Sequence, residues 1–250
     1  MFRLDGKVAL VTGAGQNIGA GVSRLMAAQG ATVLVNDYYA ERAQETVDAI
    51  VAAGGKARAV PFDVTDRDAV NAAVAEIAAK EGPVDILVNN AGNAGIGGNM
   101  GQKPFAETSP DVWSGIFAVN LYGMFHCCQA VLPGMIERRS GRIITNTSGA
   151  GQAGLDIGVS AYGAAKSGQI GFMRHLAVEN ARYNITCNTI AIGLVIAKPS
   201  PVTEPMAKTI PLKRLGKPED IGALAVYLAS DEASWITGQT IGANGGAWIN

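Results

Sequence analysis

Short apolar runs of β type alternate with stretches of helical spacing along most of this chain, and few folds accept that pattern. KVALVT at 7–12 runs into glycines, and helical spacing follows from Ile18 to Ala28. ATVLVN at 31–36 precedes a helical stretch from Ala40 to Ala53, which stops at Gly54-Gly55, a fitting C-cap. A third run covers 57–61, and Thr65 or Asp66 caps a helix to Lys80 ahead of Gly82-Pro83. DILVN at 85–89 is a fourth run. A long helical stretch from about Pro110 to Glu137, a run at 142–146, a helix with Tyr162 and Lys166, and runs at 185–191 and 239–243 complete the series. Apolar strands alternating with helices predict βαβ units. The expected fold is α/β: a doubly wound parallel sheet of about seven strands, helices on both faces, right-handed crossovers.

No repeat or linker divides the chain, so residues 1–250 are expected to form one domain. The exception in texture is 194–212, with Pro199, Pro201, Pro205 and Pro211 and little periodicity. A loop of that length in a compact domain tends to be a lid.

Of the 250 residues, 48% are hydrophobic and 16% charged, and the net charge is −1. The longest basic run is Arg138-Arg139, which argues against a nucleic-acid or membrane-surface role. Cys127, Cys128 and Cys187 make neither a disulfide framework nor a metal-ligand spacing; they read as buried residues in a reducing compartment. Residues 1–7 lack a basic-then-apolar signal, and no apolar run is read as reaching about 18 residues. The expectation is a cytoplasmic protein with no metal and no membrane span.

Between the first strand and first helix lies Thr12-Gly13-Ala14-Gly15-Gln16-Asn17-Ile18-Gly19. Glycines there permit a tight turn and close backbone approach to a pyrophosphate seated on the helix N-terminus. The spacing G-x-G-x-x-G fails, because Ile18 holds the third position. The wider pattern Gly13-x-x-x-Asn17-x-Gly19 places Asn at the middle position, and Asn tolerates left-handed backbone better than most residues. Asp37 ends the second strand. It is suited to accept hydrogen bonds from an adenosine ribose and to repel a 2′-phosphate, which favours NAD over NADP. Its ordinary reading is a cap on the next helix. Asp63-Val64 suits an adenine edge, or a plain turn.

Tyr162 and Lys166 sit four apart, on one face of a helix. Alone, that is ordinary spacing. A phenol titrates near 10 and is a poor acid-base group at neutral pH, but a neighbouring ammonium lowers that value. Ser148, just past Ile143-Ile144, is placed to hold a substrate oxygen while Tyr162 exchanges a proton with it.

Taken together, the Gly-rich turn, Asp63-Val64, Asn89-Asn90-Ala91-Gly92, Asn120 in VNLYG, Ser148, Tyr162-x-x-x-Lys166 and ITGQTIGANGG near the C-terminus resemble the short-chain dehydrogenase/reductase family over nearly the whole chain. The resemblance implies a Rossmann-like domain and an oxidoreductase. It makes Tyr162 the general acid-base and Ser148 the positioner of the substrate oxygen. Lys166 binds the nicotinamide ribose and lowers the Tyr162 pKa, and Asn120 holds a water in a relay through Lys166. Gly13, Gln16, Asn17, Ile18, Gly19, Asp37, Asp63, Val64, Asn90, Ala91 and Gly92 would line the cofactor, as would the backbone from Ile192 through Gly193 to Val195. The sequence departs from the family at Ile192, where Pro is usual, and at Ala197, where Thr is common.

Candidate substrate-lining residues are Asn93, Ala94, Ala150, Gln152, Leu155, Val159, Leu194 and Met206, a mostly apolar set that suits an uncharged ketone or secondary alcohol. The nearest flavours of the family are 3-oxoacyl-thioester reductases and small NAD-linked alcohol or hydroxysteroid dehydrogenases. His126 and His175 read as structural. The resemblance implies a homotetramer. A competing reading, supported by Asn17, Ile192 and Ala197, is a non-catalytic dinucleotide-binding regulatory protein.

Overall fold

The computed structural model describes residues 1–92 and 102–249. Among the described residues, seven strands form one sheet: β1 (Val8–Val11), β2 (Thr32–Val35), β3 (Lys56–Ala59), β4 (Ile86–Asn89), β5 (Gly141–Ser148), β6 (Ile185–Ile192) and β7 (Thr240–Ala243). Their spatial order is β3-β2-β1-β4-β5-β6-β7, and every pairing is parallel. The order reverses between β1 and β4, so a crevice opens at their C-terminal ends, where Thr12 and Asn90 follow.

Continuous apolar strands are explained by the two cores. In β1, Ala9 and Val11 pack on one face of the sheet and Val8 and Leu10 on the other. The first face is covered by α1 (Asn17–Ala28), α2 (Ala40–Ala52) and α7 (Pro218–Ala229), through Val22, Met26, Ile50, Ile221 and Val226. The second is covered by α3 (Arg67–Lys80), α5 (Gly123–Arg138) and α6 (Ser160–Asn180), through Val70, Ile77, Cys127, Met135 and Met173. All three cysteines are buried and free.

Several boundaries follow local chemistry. Asp66 caps α3 by accepting from the Asp68 and Ala69 N–H groups, each at 3.0 Å. Gly54, at φ +82°, follows α2 as expected. The long helical stretch is in fact three pieces: α4 (Pro110–Phe117), a π-turn at Ala118–Tyr122, and α5. Pro110–Arg138 contains a window of mean hydropathy 1.4 and so has the length and apolarity of a membrane span, though polar residues such as Asn120, His126 and Gln129 interrupt it. In the fold, Met124, Cys127, Cys128, Val131 and Met135 from this stretch are buried in the core beneath β4 and β5.

Helix α7 was not expected from the pattern. Pro218 stands at its first turn with Glu219 and Asp220, and Asp220 accepts the Lys217 N–H at 2.8 Å. It packs on α1 where Gly21 lies against Pro218; a Cβ on Gly222 would come 2.7 Å from Leu25. Within 194–212 the chain forms a 3₁₀ turn at Glu204–Thr209, and Val195 pairs with Gly216 as an isolated bridge.

Candidate active site

The turn after β1 is shaped by what its residues lack. Gly13 has φ +58°, and a Cβ on it would come 2.8 Å from the Ala91 Cα. Asn17 takes φ +48° at the start of α1, the left-handed conformation for which Asn is suited. Gln16, at the N-cap, makes no side-chain cap bond, and the first turn of α1 holds no acid. The positive end of that helix is therefore uncompensated by the chain itself, as an anion-binding turn requires.

Asparagines tie this turn to the strands around it. The Asn90 amide donates to the Thr12 carbonyl at 3.0 Å and the Gly13 carbonyl at 2.8 Å. Its oxygen accepts from the Asn146 amide at 3.0 Å. The Thr12 hydroxyl accepts the N–H groups of Asn90 and Ala91 at 3.1 and 3.0 Å. Asn36 holds the far side, donating to the carbonyls of Val60 and Phe62 at 3.1 and 3.0 Å. Thr12, Asn36 and Asn146 were not singled out from the sequence; polar residues closing apolar strands were the available signal.

Gly13, Gln16, Asn17, Ile18, Gly19, Asp37, Asp63, Val64, Asn90, Ala91 and Gly92 all line one cleft of about 870 Å³. Asp37 is buried. One carboxylate oxygen accepts the Gly15 N–H and the other the Tyr39 N–H, both at 3.0 Å, and each has lone-pair capacity beyond that bond. It thus braces the turn and starts α2 at once. Asp63 accepts from the Thr65 N–H and hydroxyl, both at 2.8 Å, so its turn role is present too. Arg42 also lines the cleft, with its guanidinium 4.3 Å from the Tyr39 ring centroid; this cation near Asp37 was overlooked in the sequence.

Ser148 closes β5, and Tyr162 and Lys166 project from the first turns of α6. The Ser148 hydroxyl accepts the Ala150 N–H at 3.2 Å and acts on the Tyr162 phenol in the direction that lowers its pKa. Lys166 is buried. Its Nζ donates to the Asn146 carbonyl at 3.2 Å and lies 5.6 Å from the Tyr162 ring centroid. Burial pulls its pKa from 10.5 down to about 8. The expected lowering of the Tyr162 pKa is corrected: burial raises it above the ordinary 10, and Ser148 opposes only part of that. Desolvation dominates because both groups lie within protein.

Asn120 sits in the π-turn, fully buried, its amide donating to the Ile116 carbonyl at 2.9 Å. A Cβ on Gly92 would come 2.8 Å from the Asn120 Oδ1 and 3.3 Å from the Lys166 Nζ, so both atoms face one point at the end of β4. Ser148, Tyr162, Lys166 and Asn120 are therefore assembled beside the cleft.

The other candidates divide. Ala150, Gln152, Leu155 and Val159 line one depression of about 350 Å³ next to Ser160 and Gly163. Gln152 accepts the Trp248 indole N–H at 3.3 Å, and that ring lies against Gly149. Leu194 and Val195, by contrast, line a separate cleft of about 420 Å³ against 242–246. Gly193 donates to the Ala243 carbonyl at 3.0 Å and packs on Asn244. These three are thus engaged with the end of β7 and the residues after it, and Met206 is 44% exposed on the 3₁₀ turn. Asn93 and Ala94 lie outside the described residues. His126 bonds the Val64 carbonyl at 3.0 Å, a structural contact.

A family model described as enoyl-(acyl carrier protein) reductase matches residues 13–247. The chain belongs to the short-chain dehydrogenase/reductase family. It is 38% identical to oxidoreductase UcpA of Salmonella typhimurium, over 100% of this chain and 97% of that one. It is 37% identical to the 3-oxoacyl-[acyl-carrier-protein] reductase FabG of Thermotoga maritima, over 99% and 100%. Among solved structures, a 7 alpha-hydroxysteroid dehydrogenase complexed with NADH and 7-oxo glycochenodeoxycholic acid matches at TM-score 0.90 and 35% identity, covering 100% and 98%. A gluconate 5-dehydrogenase from Burkholderia cenocepacia in complex with NADP and tartrate matches at 0.89 and 32%, covering 98% and 96%.

Proposed function

We propose that this short-chain dehydrogenase/reductase is an NAD(H)-dependent enzyme that interconverts a secondary alcohol and a ketone. The observation that carries the reading is the placement of the buried Lys166, its Nζ 5.6 Å from the Tyr162 ring centroid and beside Gly92, which lines the 870 Å³ cleft, with Ser148 at the end of β5 acting on the Tyr162 phenol. A nicotinamide dinucleotide fits the cleft on this chain's own features: the uncompensated start of α1, the space left by Gly13, and a carboxylate at the far end. When bound, that group supplies the hydride chemistry. The chain supplies the proton side. Ser148 holds the substrate oxygen by hydrogen bond, and Tyr162 Oη takes its proton during oxidation and returns one during reduction. Lys166, buried with its Nζ on the Asn146 carbonyl, would hold the nicotinamide ribose.

Preference for NAD rests on Asp37, whose buried carboxylate stands where a 2′-phosphate would meet like charge. Arg42 weighs on the other side, but it is exposed and stacked on Tyr39, whereas Asp37 faces the turn directly. The segment 194–212 serves as the lid. The exposed Tyr122 on the π-turn and the exposed Trp235 suit contact between copies in a homotetramer, which light scattering tests; a monomer removes that part. The free buried thiols suit a reducing, cytoplasmic setting.

The likeness to FabG favours a second reading for the substrate, a 3-oxoacyl thioester reduced to the 3-hydroxyacyl form. The test is a panel of secondary alcohols, hydroxysteroids and 3-hydroxyacyl thioesters with NAD and NADP, followed by absorbance of the reduced nicotinamide. Turnover with NAD on an alcohol supports the first reading. Turnover confined to thioesters supports the second, and tight NAD binding with no turnover on any member favours a regulatory protein.

A further inference from the structure

We infer that Gln169 is a positioning residue that pins the π-turn carrying Asn120 and thereby sets the side of the site facing Lys166. Gln169 lies three residues after Lys166 and seven after Tyr162, so the three share one face of α6. It is 1% exposed. A primary amide at such a depth costs stability unless its polar atoms are engaged, so an apolar residue would be the simpler choice for packing alone. Its Nε2 donates to the backbone carbonyl of Asn120 at 2.6 Å. That bond joins α6 to a five-residue turn that departs from α-helical register.

The consequence runs through geometry already described. The Asn120 side chain is held from behind by the Ile116 carbonyl, and its backbone is held from the front by Gln169. Between these two bonds the Asn120 Oδ1 faces the same point beside Gly92 as the Lys166 Nζ. Because Gln169 and Lys166 stand on one rigid helix, the Gln169 bond measures the turn against the helix that carries the proton-exchanging groups. Gln169 touches neither cleft, so its effect on turnover is exerted through Asn120 and Lys166.

This inference rests on the dehydrogenase reading for its kinetic arm but not for its structural arm. The variant is Gln169→Met, which keeps the length and apolar body and removes the donor. Amide hydrogen exchange of the intact protein is read first. Exchange in residues 118–123 should quicken about tenfold, the worth of one buried hydrogen bond, while the rest of α5 and α6 stays unchanged. Unchanged exchange at 118–123 overturns the inference whether or not any substrate is known. With a substrate from the panel in hand, kcat should fall about tenfold while the NAD Kd and the alcohol KM stay within about twofold. Gln169→Leu, which also has no donor to offer that carbonyl, should lose kcat likewise. Parental kcat in either variant, or a loss matched by lost NAD affinity, overturns the positioning role. If the parent itself turns over nothing, the function reading fails, and the exchange result alone still decides the pinning.

Discussion

Replacing Lys166 by Met should make the protein more stable while removing its turnover. In water a lysine titrates near 10.5, and burial brings Lys166 to about 8. Each tenfold change in proton affinity corresponds to about 1.4 kcal/mol, so holding the ammonium in this site costs the fold about 3 kcal/mol at neutral pH. The folded value lies below the unfolded one, so the unfolded chain binds the proton more tightly. The penalty is fully present below about pH 8, and stability recovers as pH rises from about 8 to about 10.5. Methionine fills similar space without charge but forfeits the 3.2 Å bond to the Asn146 carbonyl, worth about 1 kcal/mol. The net expectation is a gain of about 2 kcal/mol at pH 7 that reaches zero at about pH 10 and becomes a small loss above it. Denaturant unfolding of cofactor-free parent and variant, at equal protomer concentration and at both ends of that window, measures it. A variant no more stable than the parent at pH 7, or a gain that is the same at both pH values, would refute the reasoning. A site residue whose removal stabilises the fold is one retained for chemistry.

Three other substitutions probe the cofactor cleft and its neighbourhood. Gly13→Val should weaken dinucleotide binding by at least tenfold and cost about 1–2 kcal/mol, because the new Cβ meets Ala91 at 2.8 Å and φ is +58°; calorimetric titration reads the first and unfolding the second. Asp37→Ser should raise the NADP/NAD ratio of kcat/KM by about tenfold or more, since it removes a carboxylate and leaves Arg42 in the cleft; an unchanged ratio would detach the preference from Asp37. Asn90→Ala should lower stability by about 1–3 kcal/mol, because it leaves the Thr12 and Gly13 carbonyls and the Asn146 amide without their partner.

The parts of the fold legible in the sequence are those where burial leaves a continuous pattern. Strands such as VALV and ILVN are covered on both faces, so they read as apolar runs and sit where expected. The ends were less legible. β5 continues past Asn146 through Thr147 and Ser148, because the ladder runs on past the apolar stretch into the polar residues of the site, and β6 runs one residue further than expected, to Ile192. Helix α7 escaped notice because Gly222 and small residues dilute its apolar stripe, although Pro218, Glu219 and Asp220 mark its start. The π-turn has no signature at all: AVNLY contains neither Gly nor Pro, and its register is held by tertiary bonds such as that from Gln169.

The candidate site shows the same division. Tyr162 and Lys166 were readable from their spacing, and the glycine turn from its place between strand and helix. Their pKa values were not, because desolvation depends on the whole surrounding fold. Leu194 and Val195 follow β6 in sequence, yet the backbone turns them toward residues 242–246.

Turnover and cofactor affinity of Tyr162→Phe, measured together on one preparation, bear most directly on the proposal that Tyr162 carries the proton. The phenylalanine keeps the ring, so NAD should bind within about twofold of the parent, while kcat on the best alcohol of the panel should fall by about 10²–10⁴. Near-parental turnover in that variant would contradict the account.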